Sequence, residues 1–206
     1  MQMKPIAVLG VAFVAGAFPT SNIAARRRAH VDLRDVGNGT VSGTSLYRVT
    51  NFGTLALTGI ADIAKGALGP ALAGPRRPGL AAAAGAAAIA GHNWSPFLGG
   101  AGGRGFAPSL GVLGAQAWPG VPVMLGGLVG GKAARQTGLG GFVAQCALVP
   151  VLARTHGRRG ALVGACVVAP MWLKRVAGNR PPREPSLRVY AYRLLFDRDP
   201  DEASEV

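Results

Sequence analysis

Long uncharged runs, separated by short blocks of arginine, set the pattern of this chain. No Asp, Glu, Lys or Arg occurs between Arg77 and Arg104, between Arg104 and Lys132, or between Arg135 and Arg154. Runs of that length can cross roughly 30 Å of hydrocarbon as helices. The first run, residues 6–25, follows Lys4 and precedes Arg26, Arg27 and Arg28. An arginine block directly after the run is a poor substrate for export, so it predicts an uncleaved anchor rather than a signal peptide. The heavier positive flank stays inside, which puts the N-terminus outside.

A polar loop over residues 26–51 leads to a second run, residues 52–74. Its Asp62 and Lys65, three residues apart, share one helix face, where each lowers the other's cost of burial. A turn at Pro75, Arg76, Arg77 and Pro78 gives way to residues 79–90, which rise to a glycine-rich loop. Residues 106–131 would make one helix of roughly 39 Å. Pro119 and Pro122 after Trp118 argue for a break, as one kinked span or as a helical hairpin. Two more runs, residues 138–153 and 161–173, are joined by a segment carrying Arg154, Arg158 and Arg159. The pattern predicts an all-α, polytopic helix bundle of about seven membrane spans over residues 1–178. Residues 179–206 form a polar cytoplasmic tail that turns acidic from Asp197 to Glu205.

Composition agrees. Apolar residues make up 49% of the chain and charged residues 15%, with a mean hydropathy of +0.29; soluble domains carry about 25% charged residues. The runs are rich in Ala and Gly, which let membrane helices approach closely. The net charge of +13 is spread between apolar runs rather than gathered with aromatics on one face, which excludes a nucleic-acid partner. Cys146 and Cys166 lie in apolar runs without a Cys or His at metal-ligand spacing. Both are expected as buried thiols, and no metal or cofactor is expected.

Two loops carry the candidate chemistry. Residues 91–105 hold His92, Gly102, Gly103, Arg104 and Gly105, a set of open backbone N–H groups beside a cation, as phosphate recognition requires. Residues 35–48 hold Gly37, Asn38, Gly39, Thr44, Ser45 and Arg48, many donors with little bulk; the plainer reading is a turn with Thr44 or Ser45 capping the next helix. On one membrane face the two loops, with Arg135, form a cationic pocket at headgroup level, where arginine's planar fork pairs with phosphate oxygens. His92 is read as a positional residue against the alternative of a helix-terminal His satisfying carbonyls. Asp62 and Lys65 read as a structural pair, with Lys65 also long enough to reach the headgroup region. None of the nine acidic residues stands four positions after a His, so a His-carboxylate acyl transfer is not expected.

The order of these motifs, from Gly16 through Asp35–Arg48, Asp62–Gly66 and Gly91–Gly105, resembles the bacterial membrane acyl-phosphate:glycerol-3-phosphate acyltransferases. The likeness spans most of residues 5–176. It implies a multi-pass enzyme of the bacterial inner membrane that moves a fatty acyl group from acyl phosphate to the 1-hydroxyl of sn-glycerol 3-phosphate, giving lysophosphatidic acid for phospholipid biosynthesis. It further implies that the first loop holds the acyl phosphate, that Arg48 and Arg104 hold glycerol 3-phosphate, and that Arg135 matches the third motif. The chain departs from the family's pattern at Asn38 and Gly138, where serines are expected, and at Ala101 and Arg104, where lysines are. The family's His and Asn after the last span find no match over residues 173–180. Those departures raise the alternative of a relative that binds a phospholipid headgroup or acyl phosphate without turnover.

Overall fold

Proline sets the first break. In the computed structural model, which describes residues 3–201, the expected anchor is two helices, α1 (Pro5–Ala17) and α2 (Thr20–Ala29). Pro19 clashes with a helical residue before it, and Phe18 accordingly turns extended at φ −62°, ψ 121°. The carbonyl that this break exposes is recovered from another helix. Lys65 Nζ donates to Phe18 O at 2.5 Å and to Thr20 Oγ1 at 3.0 Å, while pairing with Asp62 at 2.7 Å. The expected Asp62–Lys65 pair therefore forms, and it braces the α1–α2 joint.

The remaining helices are α3 (Gly43–Val49), α4 (Phe52–Ala73), α5 (Pro78–Asn93), α6 (Phe106–Gln116), α7 (Gly120–Ala133), α8 (Thr137–Ala177) and α9 (Leu187–Phe196). No strand occurs among the described residues. Residues 106–131 are not one kinked span: Ala117 leaves the helical region at φ −157°, ψ 69°, and α6 and α7 are separate. The α8 hydrogen-bond ladder hides a sharper turn. Gly157 sits at φ 58°, ψ −146°, a region that only glycine enters readily. Gly164 then packs on Val149, Met171 meets Gln145 and Arg175 reaches Gly141, so the two arms run antiparallel. These arms correspond to the expected runs at 138–153 and 161–173.

Close backbone contact joins the helices. A Cβ on Gly16 would overlap the Ala88 carbonyl and one on Gly91 the Phe13 carbonyl, which seats α1 parallel to α5, with Met3 O bonded by Arg77 at one end and Ala17 O by Ser95 at the other. Gly66 against Pro108 and Gly111 against Ile63 do the same for α4 and α6. Between them lie an alanine-rich core of Val8, Ala12, Ala73, Ala81, Ala84 and Ala88, and a larger one around Ile89, Leu113, Met124, Leu148, Val167 and Met171.

The outer face is apolar too. Ile6, Leu57, Ile60, Val129 and Val143 are exposed. Among the described residues, three helical stretches, Pro5–Ala29, Phe52–Ala73 and Thr137–Ala177, are long and apolar enough to cross a membrane. Cys146 corrects an expectation: it is exposed, and Cys166 only partly buried, because an apolar run in such a bundle turns one face outward. Residues 202–206, with the expected acidic Glu202 and Glu205, lie outside the described residues.

Gly91→Ala is expected to destabilise the protein by about 1–3 kcal/mol through overpacking against α1. Gly10→Ala, whose Cβ meets nothing within 4 Å, serves as the control. Thermal unfolding in detergent checks this: a lower Tm for the first and none for the second.

Candidate functional site

Each of the two loops is fixed by its own local chemistry before they meet. In the first, Asp32 caps a short 3-10 turn, Leu33–Asp35, by accepting from Arg34 N at 3.0 Å. The Arg34 guanidinium hydrogen-bonded to it holds this carboxyl well below the usual carboxylate range, and Arg26 adds an ion pair at 3.0 Å. Leu33 N donates to Asn22 Oδ1 at 2.8 Å, which ties the loop to α2. Gly37 and Gly39 then reverse the chain at φ +56° and +73°, with Asn38 Oδ1 between them accepting from Thr40 N at 3.2 Å. The cap of α3 is Ser42, not Thr44 or Ser45: its hydroxyl accepts from Ser45 N at 3.2 Å. Ser45 turns inward instead and donates to Thr40 O at 2.8 Å. Thr44 and Arg48 are exposed, and the Arg48 guanidinium lies 4.0 Å from the Cβ position of Gly37.

The second loop leaves α5 at Trp94. Ser95 holds it, accepting from Gly100 N at 2.8 Å, donating from its own N–H to Ala101 O at 3.1 Å and from its hydroxyl to Ala17 O at 2.6 Å. Gly102 passes so close to the carbonyls of His92 and Asn93 that no side chain fits. Gly103 N donates to His92 O at 3.1 Å, with the His92 ring directly beneath it. A cavity of about 10 Å³ under this loop is lined by Thr20, Asp62, His92, Ser95 and Gly103 among others, so the Asp62–Lys65 brace reaches the floor of the site. Gly105, at φ +74°, starts α6.

The loops are joined in two ways. Val41 N donates to Gly102 O at 3.1 Å. Asn179, just past α8, spans the gap: its Nδ2 donates to Gly39 O at 3.1 Å and to Gly102 O at 2.9 Å, and its Oδ1 accepts from Gly102 N at 3.0 Å. Arg180 adds a bond to Arg34 O at 3.0 Å. The sequence reading passed over Asn179, finding no functional residue over 173–180. Its one signal is a lone amide directly after the helix-ending Gly178, where the chain leaves α8.

Cations gather at the same end. Arg104 Nε donates to Asp197 Oδ1 at 2.5 Å, while its Nη1 is buried with no hydrogen-bond partner among the described residues. Lys174 is fully enclosed, its Nζ 5.3 Å from the centre of the Trp94 ring and 3.4 Å from Gly100 O. Arg175 donates to Gly138 O at 3.0 Å and Leu194 O at 2.9 Å. Neither Lys174 nor Arg175 was named as a site residue from the sequence, because the α8 arm that carries them reads as a plain positive flank. Two predicted residues are not part of this gathering. Lys65 spends its ammonium on the α1–α2 joint, and the side chain of Arg135, exposed in the α7–α8 turn at φ +56°, makes no hydrogen bond or ion pair among the described residues.

The family model described as glycerol-3-phosphate acyltransferase matches residues 6–179. A glycerol-3-phosphate acyltransferase of a Synechococcus species is 32% identical over 195 residues, covering 88% of this chain and 96% of the relative. One from Roseobacter denitrificans is 35% identical over 182 residues, covering 86% and 90%. A crystal structure of PlsY (YgiH), an integral membrane glycerol 3-phosphate acyltransferase, in its glycerol 3-phosphate form shares the fold. Its TM-score is 0.77 over 95% of this chain and 94% of that one, at 22% identity.

Asn179→Ala removes three hydrogen bonds that bridge the loops, each worth about 0.5–1.5 kcal/mol. The expected result is faster amide exchange confined to residues 37–42 and 100–103, with a lower Tm. Uniform exchange across the chain would show that the bridge does not hold the loops.

Proposed function

The chain belongs to the glycerol-3-phosphate acyltransferase family, and on that premise we propose that it is a multi-pass membrane enzyme transferring a fatty acyl group from acyl phosphate to the 1-hydroxyl of sn-glycerol 3-phosphate. The observation that carries the proposal is the join made by Val41, Gly102 and Asn179, which sets the loop of Asn38 to Ser45 against the loop of His92 and Arg104. Either loop alone is an ordinary turn. Together they bring hydroxyls and an arginine from each loop to one end of the bundle, which suits two phosphorylated substrates.

Acyl phosphate is already activated, so the protein's part is positioning and charge compensation. The glycerol oxygen attacks the acyl carbonyl carbon, and the bond from that carbon to the phosphate oxygen breaks. Phosphate leaves with the electron pair, and the hydroxyl proton passes to a phosphate oxygen. Arg48 and Arg104 hold the glycerol phosphate, and Arg104's buried Nη1, which lacks an acceptor, suits a phosphate oxygen. The Gly37–Ser45 loop holds the acyl phosphate, and His92 supports the second loop from below. Thr40 Oγ1, buried without a partner, gives the first loop a further donor.

In the bilayer the α1–α2 stretch, α4, α5, α6, α7 and the two arms of α8 make about seven passes. The N-terminus lies outside, and the loops lie at the cytoplasmic headgroup level of a bacterial inner membrane. The parallel glycine contacts of α1 with α5 and of α4 with α6, passes two apart in chain order, support this alternation.

Purified protein in lipid, given both substrates, is expected to form lysophosphatidic acid and release one phosphate per turnover. Arg48→Ala and Arg104→Ala are each expected to lower kcat/KM on the order of 100-fold or more. No product under conditions where another family member turns over would overturn the reading.

A further inference from the structure

The family-matching segment ends at residue 179, and the chain beyond it turns back onto the site. Helix α9 packs along α8, and the carbonyl of its last residue, Phe196, lies so close to Gly138 that a Cβ there would overlap it. Arg175 donates both to Gly138 O and to Leu194 O, at 3.0 and 2.9 Å, pinning the end of α9 to the start of α8. Arg193 fastens the other side, donating to Ala177 O at 3.2 Å and Arg180 O at 3.1 Å while pairing with Asp199, whose carboxyl it holds below the usual range. These contacts deliver Asp197, in left-handed backbone at φ +58°, to Arg104.

We infer that residues 187–199 are a cover built into the chain, in which the Asp197 carboxylate competes with substrate phosphate for Arg104. The inference rests on the reading of Arg104 as a phosphate-holding residue. A carboxylate offers a guanidinium a pair of acceptor oxygens, as a phosphate does. Here it meets only part of it: Asp197 occupies Nε, and Nη1 stays buried without an acceptor. A phosphate brings more oxygens and more charge, so it displaces the carboxylate. Without phosphate, Asp197 spares the site an unpaired, largely buried cation, with side chains exposed only 14% for Arg104 and 23% for Asp197. The cost of the arrangement is affinity, since a substrate sees only the fraction of molecules with the cover open.

A carboxylate that merely orients Arg104 would give the opposite sign when removed, which makes the two roles separable. Asp197→Asn keeps the size and the tolerance of left-handed backbone but removes the charge. In the full-length protein it is expected to lower KM for glycerol 3-phosphate about three- to tenfold with kcat held within twofold, as the open fraction rises. An unchanged or raised KM overturns the cover. Should that variant not fold, Gly138→Ala decides on the same readout, because it pushes Phe196 away without touching any charge.

Amide exchange on the wild-type chain tests displacement without turnover. Glycerol 3-phosphate is expected to speed exchange at residues 193–199, and unchanged or slowed exchange overturns the inference. An enzyme that forms no product but shows faster exchange would refute the proposed reaction while leaving the cover standing.

Discussion

Contact between bare backbones is the constraint on which the rest of this molecule depends. At Gly16 and Gly91 the α1 and α5 helices each press a carbonyl into the space where the other would carry a side chain, and Gly66 and Gly111 repeat the arrangement for α4 and α6. In hydrocarbon no hydrophobic force draws helices together, so such van der Waals contact must supply the association. The two glycine-rich loops sit at the ends of these helices: Gly91 is one residue from His92, and Gly105 opens α6. The register of the helix pairs is thereby also the register of the site.

Charge within the bundle is handled mainly by backbone acceptors. Lys65 answers the carbonyl that Pro19 frees, Arg77 answers those of Leu72 and Ala73 near the end of α4, and Arg175 those at the end of α9. Each cation closes a helix end that would otherwise leave carbonyls without donors. Arg104 differs, because it answers no backbone carbonyl: Asp197 takes its Nε, and its buried Nη1 has no partner among the described residues.

The apolar helices were legible in the sequence because charge is nearly excluded from them, and their limits fell where proline or glycine stood. The two glycine-rich loops were legible for a related reason, since clustered glycines and hydroxyls are costly inside a helix. Asn179 was not legible, because its role comes from reaching two loops that sequence separation hides. Nor was α9: Leu187 to Phe196 reads as part of a polar tail until Arg175 and Gly138 are seen to receive it. Ser42, rather than Thr44 or Ser45, capped α3 because the hydroxyl needed is the one just outside the first turn. Cys146 faced outward for a reason that run lengths do not carry, namely which side of a helix meets its neighbours.

The bond from Asn179 to Gly39 closes a loop of 140 residues. Its consequence is one of timing. As the chain is made, the first loop exists long before the residue that ties it to the second, and closure over such a separation comes late. A growing chain holds its two loops together by the Val41–Gly102 bond alone until α8 has been completed. The fixed juxtaposition thus arrives with the last part of the bundle rather than accumulating along the way, and a chain cut short before residue 179 possesses both loops without the amide that sets one against the other.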